Sequence, residues 1–153
     1  MPIPDALAEY IGRWAGSNRL QDPHTNTADD SAATALLTPV LNGRFLRFDY
    51  TWAYKGAAQE GSLLIGGDKA GAVTAYWIDS WHMGDLAMTC RGSVELDGIV
   101  SVRGSYAAPP GPDWGWRIDL TSDGCKLRMV MFNIWPDGRE DLAVEADYTR
   151  VEV

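Results

Sequence analysis

Basic residues, histidine, cysteine and long apolar runs are all scarce in this chain, and each scarcity argues against a class of function. Only 13 Lys and Arg stand against 21 Asp and Glu, for a formal net charge of −8. A phosphate backbone demands clustered cations, so the balance argues against nucleic acid and against an anionic membrane surface. The two His and two Cys are scattered over four segments and match no ligand spacing, so no metal site is expected. No Ser sits in a nucleophile elbow and no Gly-rich loop precedes a helix, which removes two further catalytic motifs. No apolar run approaches the ~18 residues of a membrane helix. Met1-Pro2-Ile3-Pro4-Asp5 carries neither the basic nor the apolar stretch of a secretory signal. Cys90 and Cys125, unclustered, are expected to be reduced, buried thiols in a cytoplasmic protein.

Helical periodicity is missing as well, except from Pro4 to Ile11, where Leu7, Tyr10 and Ile11 fall on one face. In its place the chain carries turn glycines between β-branched and aromatic stretches: Asn42-Gly43, Gly66-Gly67-Asp68, Asp97-Gly98, Asp123-Gly124 and Asp137-Gly138. Strands are expected at 13–20, 31–41, 44–54, 60–66, 72–82, 99–106, 114–121, 125–135 and 139–150, with 85–97 either one strand bent at Gly92 or two. Gln21 to Asp30 and the proline-rich Ala107 to Asp113 read as loops. Alternation is clearest where Leu46, Phe48, Tyr50, Trp52 and Tyr54 oppose Arg47, Asp49 and Thr51, and where Leu142, Val144, Ala146 and Tyr148 oppose Asp141, Glu145 and Asp147. One dry and one wet face, without helices between strands, predicts a single all-β domain over residues 1–153. Its architecture is an antiparallel up-and-down β-barrel of about ten strands with a short N-terminal helix.

Gly12-Arg13-Trp14, just before the first strand, resembles the lipocalin and wider calycin signature, in which an Arg from the end of the last strand packs across the Trp. Arg150, in Tyr148-Thr149-Arg150, stands in the matching place. With Leu41-Asn42-Gly43-Arg44-Phe45-Leu46 and Trp77-Ile78-Asp79-Ser80, most of the chain resembles a bacterial calycin-like (lipocalin- and fatty-acid-binding-protein-like) domain family of unknown function. The resemblance implies a barrel able to hold a small ligand, closed structurally by Gly12, Trp14 and Arg150. Nitrobindin-like calycins open with a similar Gly-x-Trp-x-Gly motif and ligate haem iron through a late His. No His follows His82 here, and Met129 and Met131 are poor substitutes, so neither haem nor another cofactor is expected.

Seven Trp and six Tyr are many for this length, and rings on a dry face suit either a core or a pocket. Tyr50, Trp52, Tyr54, Met88, Tyr106, Trp116, Met129 and Met131 fall on such faces and are the candidate ligand contacts. Arg91 and Arg103 fall opposite them, where surface ion pairs are expected. His82 sits in Asp79-Ser80-Trp81-His82-Met83-Gly84-Asp85, where parity puts Asp79 with Trp81 and Ser80 with His82. A His beside Asp79 or Asp85 is the weak candidate for acid–base chemistry. The leading expectation is a binding protein for an apolar or aromatic small molecule held inside the barrel. Alternatives are an enzyme using His82 with Asp79 or Asp85, and a packed barrel that pairs as a homodimer.

Overall fold

A computed structural model describes residues 5–152. One helical turn, α1 (Asp5–Ala8), precedes ten strands: β1 (Gly12–Asp22), β2 (Thr27–Val40), β3 (Phe45–Tyr54), β4 (Ala57–Gly67), β5 (Ala72–Asp79), β6 (Met88–Val94), β7 (Val100–Tyr106), β8 (Trp114–Ser122), β9 (Lys126–Ile134) and β10 (Glu140–Arg150). Each strand pairs antiparallel with its neighbour in sequence, and β1 pairs with β10 to close the barrel. The expected up-and-down barrel is therefore the fold. The helix is shorter than the Pro4–Ile11 span, and Pro4 lies outside the described residues.

Several boundaries move. Gln21 to Asp30 is not one loop: β1 and β2 pair out to Asp22 and Thr27, leaving a tight turn between them. Gly66 and Gly67 end β4, and the turn glycine is Gly71. A hairpin turn that the sequence reading passed over lies at Lys55-Gly56, where both residues have positive φ, 47° and 82°. The 85–97 segment holds a single strand, β6 (Met88–Val94), in which Gly92 brings the backbone against β7. A Cβ at Gly92 would fall inside the Ser101 carbonyl.

Two ends differ. At one, Leu7 and Tyr10 are buried, and the Tyr10 hydroxyl donates to the Leu120 carbonyl at 3.1 Å. Trp14 donates from Nε1 to the Tyr10 carbonyl at 2.8 Å, and the Arg150 guanidinium lies 4.3 Å from the Trp14 ring centre. Arg150 also donates to the carbonyls of Ile11 at 2.7 Å and Gly124 at 3.0 Å, and to that of Glu9, so one cation ties the segment between helix and first strand to the β8–β9 turn. A cation over an indole adds about 0.5–2 kcal/mol. Above this plug the interior is filled by Leu37, Leu46, Phe48, Leu63, Ile65, Ile118, Met129 and Met131, all 0–1% exposed. Small barrels close on their own side chains in this way.

On the outside, Arg91, Arg103 and Arg117 stand opposite one another across β6, β7 and β8. Arg117 pairs with Glu140 and stacks on Phe132, and Arg103 lies 3.6 Å from Glu140. Arg91 departs from the expected surface pairing: among the described residues it has no ion-pair partner. Both cysteines are free, but only Cys90 is buried; Cys125 is exposed at the β8–β9 turn. No helix of the described residues is long and apolar enough to cross a membrane.

Gly92→Ala is expected to lower the unfolding free energy by about 1–3 kcal/mol through the Ser101 clash, read as a lower urea midpoint with unchanged slope. Gly43→Asn, at an open turn, is expected to stay within about 0.5 kcal/mol of the parent. Equal midpoints for the two variants would contradict the close approach.

Candidate functional site

At the other end β5 stops at Asp79, and the chain turns through residues 80–85 instead of continuing as a strand to His82. The expected parity fails for that reason, and Trp81 and His82 both bend over the open end. The Asp79 side chain, only 2% exposed, holds this turn. Its Oδ1 accepts from the backbone amides of Trp81 and His82, both at 2.8 Å. Its Oδ2 accepts from the Tyr50 hydroxyl at 2.6 Å and from Trp52 Nε1 at 3.3 Å. Tyr50 in turn accepts from Trp77 Nε1 at 2.9 Å. A buried carboxylate with no such donors would cost several kcal/mol. Gly61 makes the arrangement fit, because a Cβ there would strike the Tyr50 hydroxyl. Burial, reinforced by the Asp79 charge, keeps that hydroxyl protonated well beyond the ordinary tyrosine range.

His82 occupies a cage of indoles. Ring centres lie 5.6 Å away for Trp52, 5.7 Å for Trp77, 4.8 Å for Trp81 and 5.3 Å for Trp116. Burial among these rings pushes the imidazole from 6.5 down to about 4, against the opposing pull of Asp79. Neutral imidazole is therefore the form present near pH 7.

Two cavities meet at this cage. The larger, about 790 Å³, is lined by Tyr54, Trp77, Met83, Leu86, Met88 and Tyr106. The smaller, about 430 Å³, is lined by Gln21, Asp22, Asn26, Asp141, Leu142 and Ala143. Trp81, His82, Trp116 and Asn133 border both. The Tyr106 hydroxyl donates to Asn133 Oδ1 at 2.6 Å. Asp22 Oδ2 accepts from the Tyr54 hydroxyl at 2.6 Å, and Oδ1 from the His24 amide at 2.9 Å. The hydroxyl bond chiefly holds the Asp22 carboxyl below its usual range. Trp116 Nε1 is buried without a hydrogen-bond partner, a rare and costly state for a donor.

Of the candidate ligand contacts, Tyr54, Met88, Tyr106 and Trp116 line the larger cavity. Tyr50 and Trp52 stand behind it, their polar atoms engaged by Asp79. Met129 and Met131 do not reach it; they are packed core. Leu142 also departs from the expected dry face, because a bulge between Leu142 and Val144 shifts the β9–β10 register beside the site. Asp79 meets His82 through the backbone amide, not the ring, and Asp85 is exposed, so neither pair offered for acid–base work is assembled through the imidazole. Gly12, Trp14 and Arg150 sit together at the opposite, closed end. Asp22 and Asn133 were missed as site residues. Each is in phase with buried neighbours, Asn18 and Leu20 for one and Met129 and Met131 for the other, and strict parity would have found them.

Asp79→Ala leaves two side-chain donors and two amides unpaired and is expected to cost about 3 kcal/mol or more, with loss of near-ultraviolet circular dichroism from the tryptophans; an unchanged spectrum would contradict the hub role. His82 binds its proton more weakly folded than unfolded, so its contribution to stability is complete above pH 6.5 and is lost as pH falls toward about 4. His82→Gln is expected to flatten the stability–pH slope in that window, and an unaltered slope would contradict its burial.

A structure of Rv2717c from M. tuberculosis is similar to this chain at a TM-score of 0.69 and 14% identity, covering 98% of this chain and 99% of that one. At that identity the likeness speaks for the barrel alone. Among curated protein sequences, none matches. A family model described as a protein of unknown function, DUF1579, matches residues 4–150. With nearly its whole length covered, this chain belongs to the DUF1579 family.

Proposed function

We propose that this protein binds a small apolar or aromatic molecule at the open end of its barrel. The observation that carries the reading is the cavity of about 790 Å³ around the Trp77–Trp81–Trp116 cage, which falls in the size range of small-molecule sites. The unpartnered Trp116 Nε1 supports it, since a ligand acceptor would satisfy a donor that the protein leaves bare. The calycin-like features, Gly12-x-Trp14 under Arg150 and an up-and-down barrel, support the same reading. With the plug at one end, they favour the other as the place for a guest. The packed core favours the mouth over the barrel's centre for the ligand. There the indole faces would desolvate a flat body, while Tyr106, Asn133 and neutral His82 supply its polar contacts.

Titration with N-phenylnaphthylamine, a neutral aromatic dye, tests this. Saturable one-to-one binding with energy transfer from tryptophan is expected, weakened about tenfold or more in Trp116→Ala and Trp81→Ala, each of which removes a ring worth more than about 1.4 kcal/mol. Met131→Leu, deep in the core, is expected to bind as the parent does. Absence of saturable binding, or equal loss in all three variants, would overturn the proposal.

A further inference from the structure

The two cavities at the mouth differ in character. The larger is walled by rings, thioethers and Leu86; the smaller carries two carboxylates, Asp22 and Asp141. Among the described residues no Lys or Arg lines either. Asp22 is 2% exposed, yet among the described residues neither it, Asp79 nor Asp141 forms an ion pair. Asp22 has Tyr54 and the His24 amide as donors, and Asp141 has Trp135 Nε1 at 2.7 Å. Lys55 lies over the Tyr54 ring at 5.3 Å but pairs with none of the three. His82, which borders both cavities, is kept neutral near pH 7 by its burial.

Such a pocket is hostile to anions. A fatty-acid or other carboxylate head would meet two negative charges and no compensating guanidinium, the arginines standing instead on the outer face at Arg91, Arg103 and Arg117. A cation meets the reverse. Carboxylates gain from a positive neighbour, the more so where one of them is buried as Asp22 is, and indole faces attract an ammonium through their quadrupoles. Trp116 adds an independent observation: 7% exposed and bordering both cavities, it has an Nε1 donor without a partner among the described residues, which a ligand acceptor would satisfy.

Resting on the mouth-binding reading above, we propose that the ligand is an organic cation. Its aromatic or apolar body lies in the larger cavity, its ammonium head in the acidic one, and a hydrogen-bond acceptor faces Trp116 Nε1.

Three methoxynaphthalenes that differ only in their head group, aminomethyl, hydroxymethyl or carboxylate, separate the possibilities by tryptophan fluorescence titration at neutral pH. The protonated amine is expected to bind about tenfold tighter than the alcohol, and the alcohol about tenfold tighter than the carboxylate, as a partly screened charge pair at close range would give. Asp22→Asn and Asp141→Asn are each expected to narrow the amine-over-alcohol gap. Asp141 is exposed, so its variant keeps the test valid if the Asp22 variant fails to fold. A carboxylate that binds as well as the amine, or a gap that both variants retain, overturns the cation inference and leaves the mouth-binding reading standing. If none of the three binds, both fall.

Discussion

The open end of this barrel depends on the Asp79 carboxylate, because that group joins β3 and β5 to the turn above them. Tyr50 and Trp52 reach it from β3, and the amides of Trp81 and His82 reach it from the turn after β5. Trp77 is attached one bond further out, through Tyr50. Removing a carboxylate from water is costly, and four donors at this site offset the cost. What results is rigidity where a simple hairpin would fray. The indoles that frame the two cavities are each fixed by packing or by a hydrogen bond, except for the bare Nε1 of Trp116.

The division between the two ends follows from where the large rings sit. Of the seven tryptophans, Trp14 alone belongs to the plug. Trp52, Trp77, Trp81, Trp114, Trp116 and Trp135 all gather at the mouth, with Trp114 and Trp135 packed at 4.5 Å. Between them, branched aliphatics and methionines fill the narrow interior completely. A barrel built this way has a packed centre and a rim of aromatic rings at its mouth. Charge is sorted too: arginines line the outer face of β6 to β8, while carboxylates without basic partners remain at the mouth.

Much of the architecture was legible in the residues. Alternation from Leu46 to Trp52 fixes which face of β3 is dry, and the Gly12-x-Trp14 spacing with Arg150 locates the closed end. Both signals are local, one set by the period of a strand and the other by a short motif at its start. The site was harder to read because it depends on where alternation stops. Asp79 is the last residue in phase, and nothing in Ser80-Trp81-His82 announces a turn held by a side chain from below. Parity carried past Asp79 to His82 placed that ring wrongly. The bulge after Leu142 broke phase in the same way. Asp22 was hidden for a different reason: a polar stretch with one proline reads as loop, although its first residues extend β1.

The central claim is that recognition occurs at the mouth and not in the barrel's centre. Indole N–H signals in a proton–nitrogen correlation spectrum test it directly, since each of the seven tryptophans gives one. On titration with an aromatic ligand, the signals of Trp116, Trp81 and Trp77 should move while that of Trp14, bonded to the Tyr10 carbonyl at the far end, stays fixed. A ligand that shifts Trp14, or leaves Trp116 unmoved at saturation, would contradict the account.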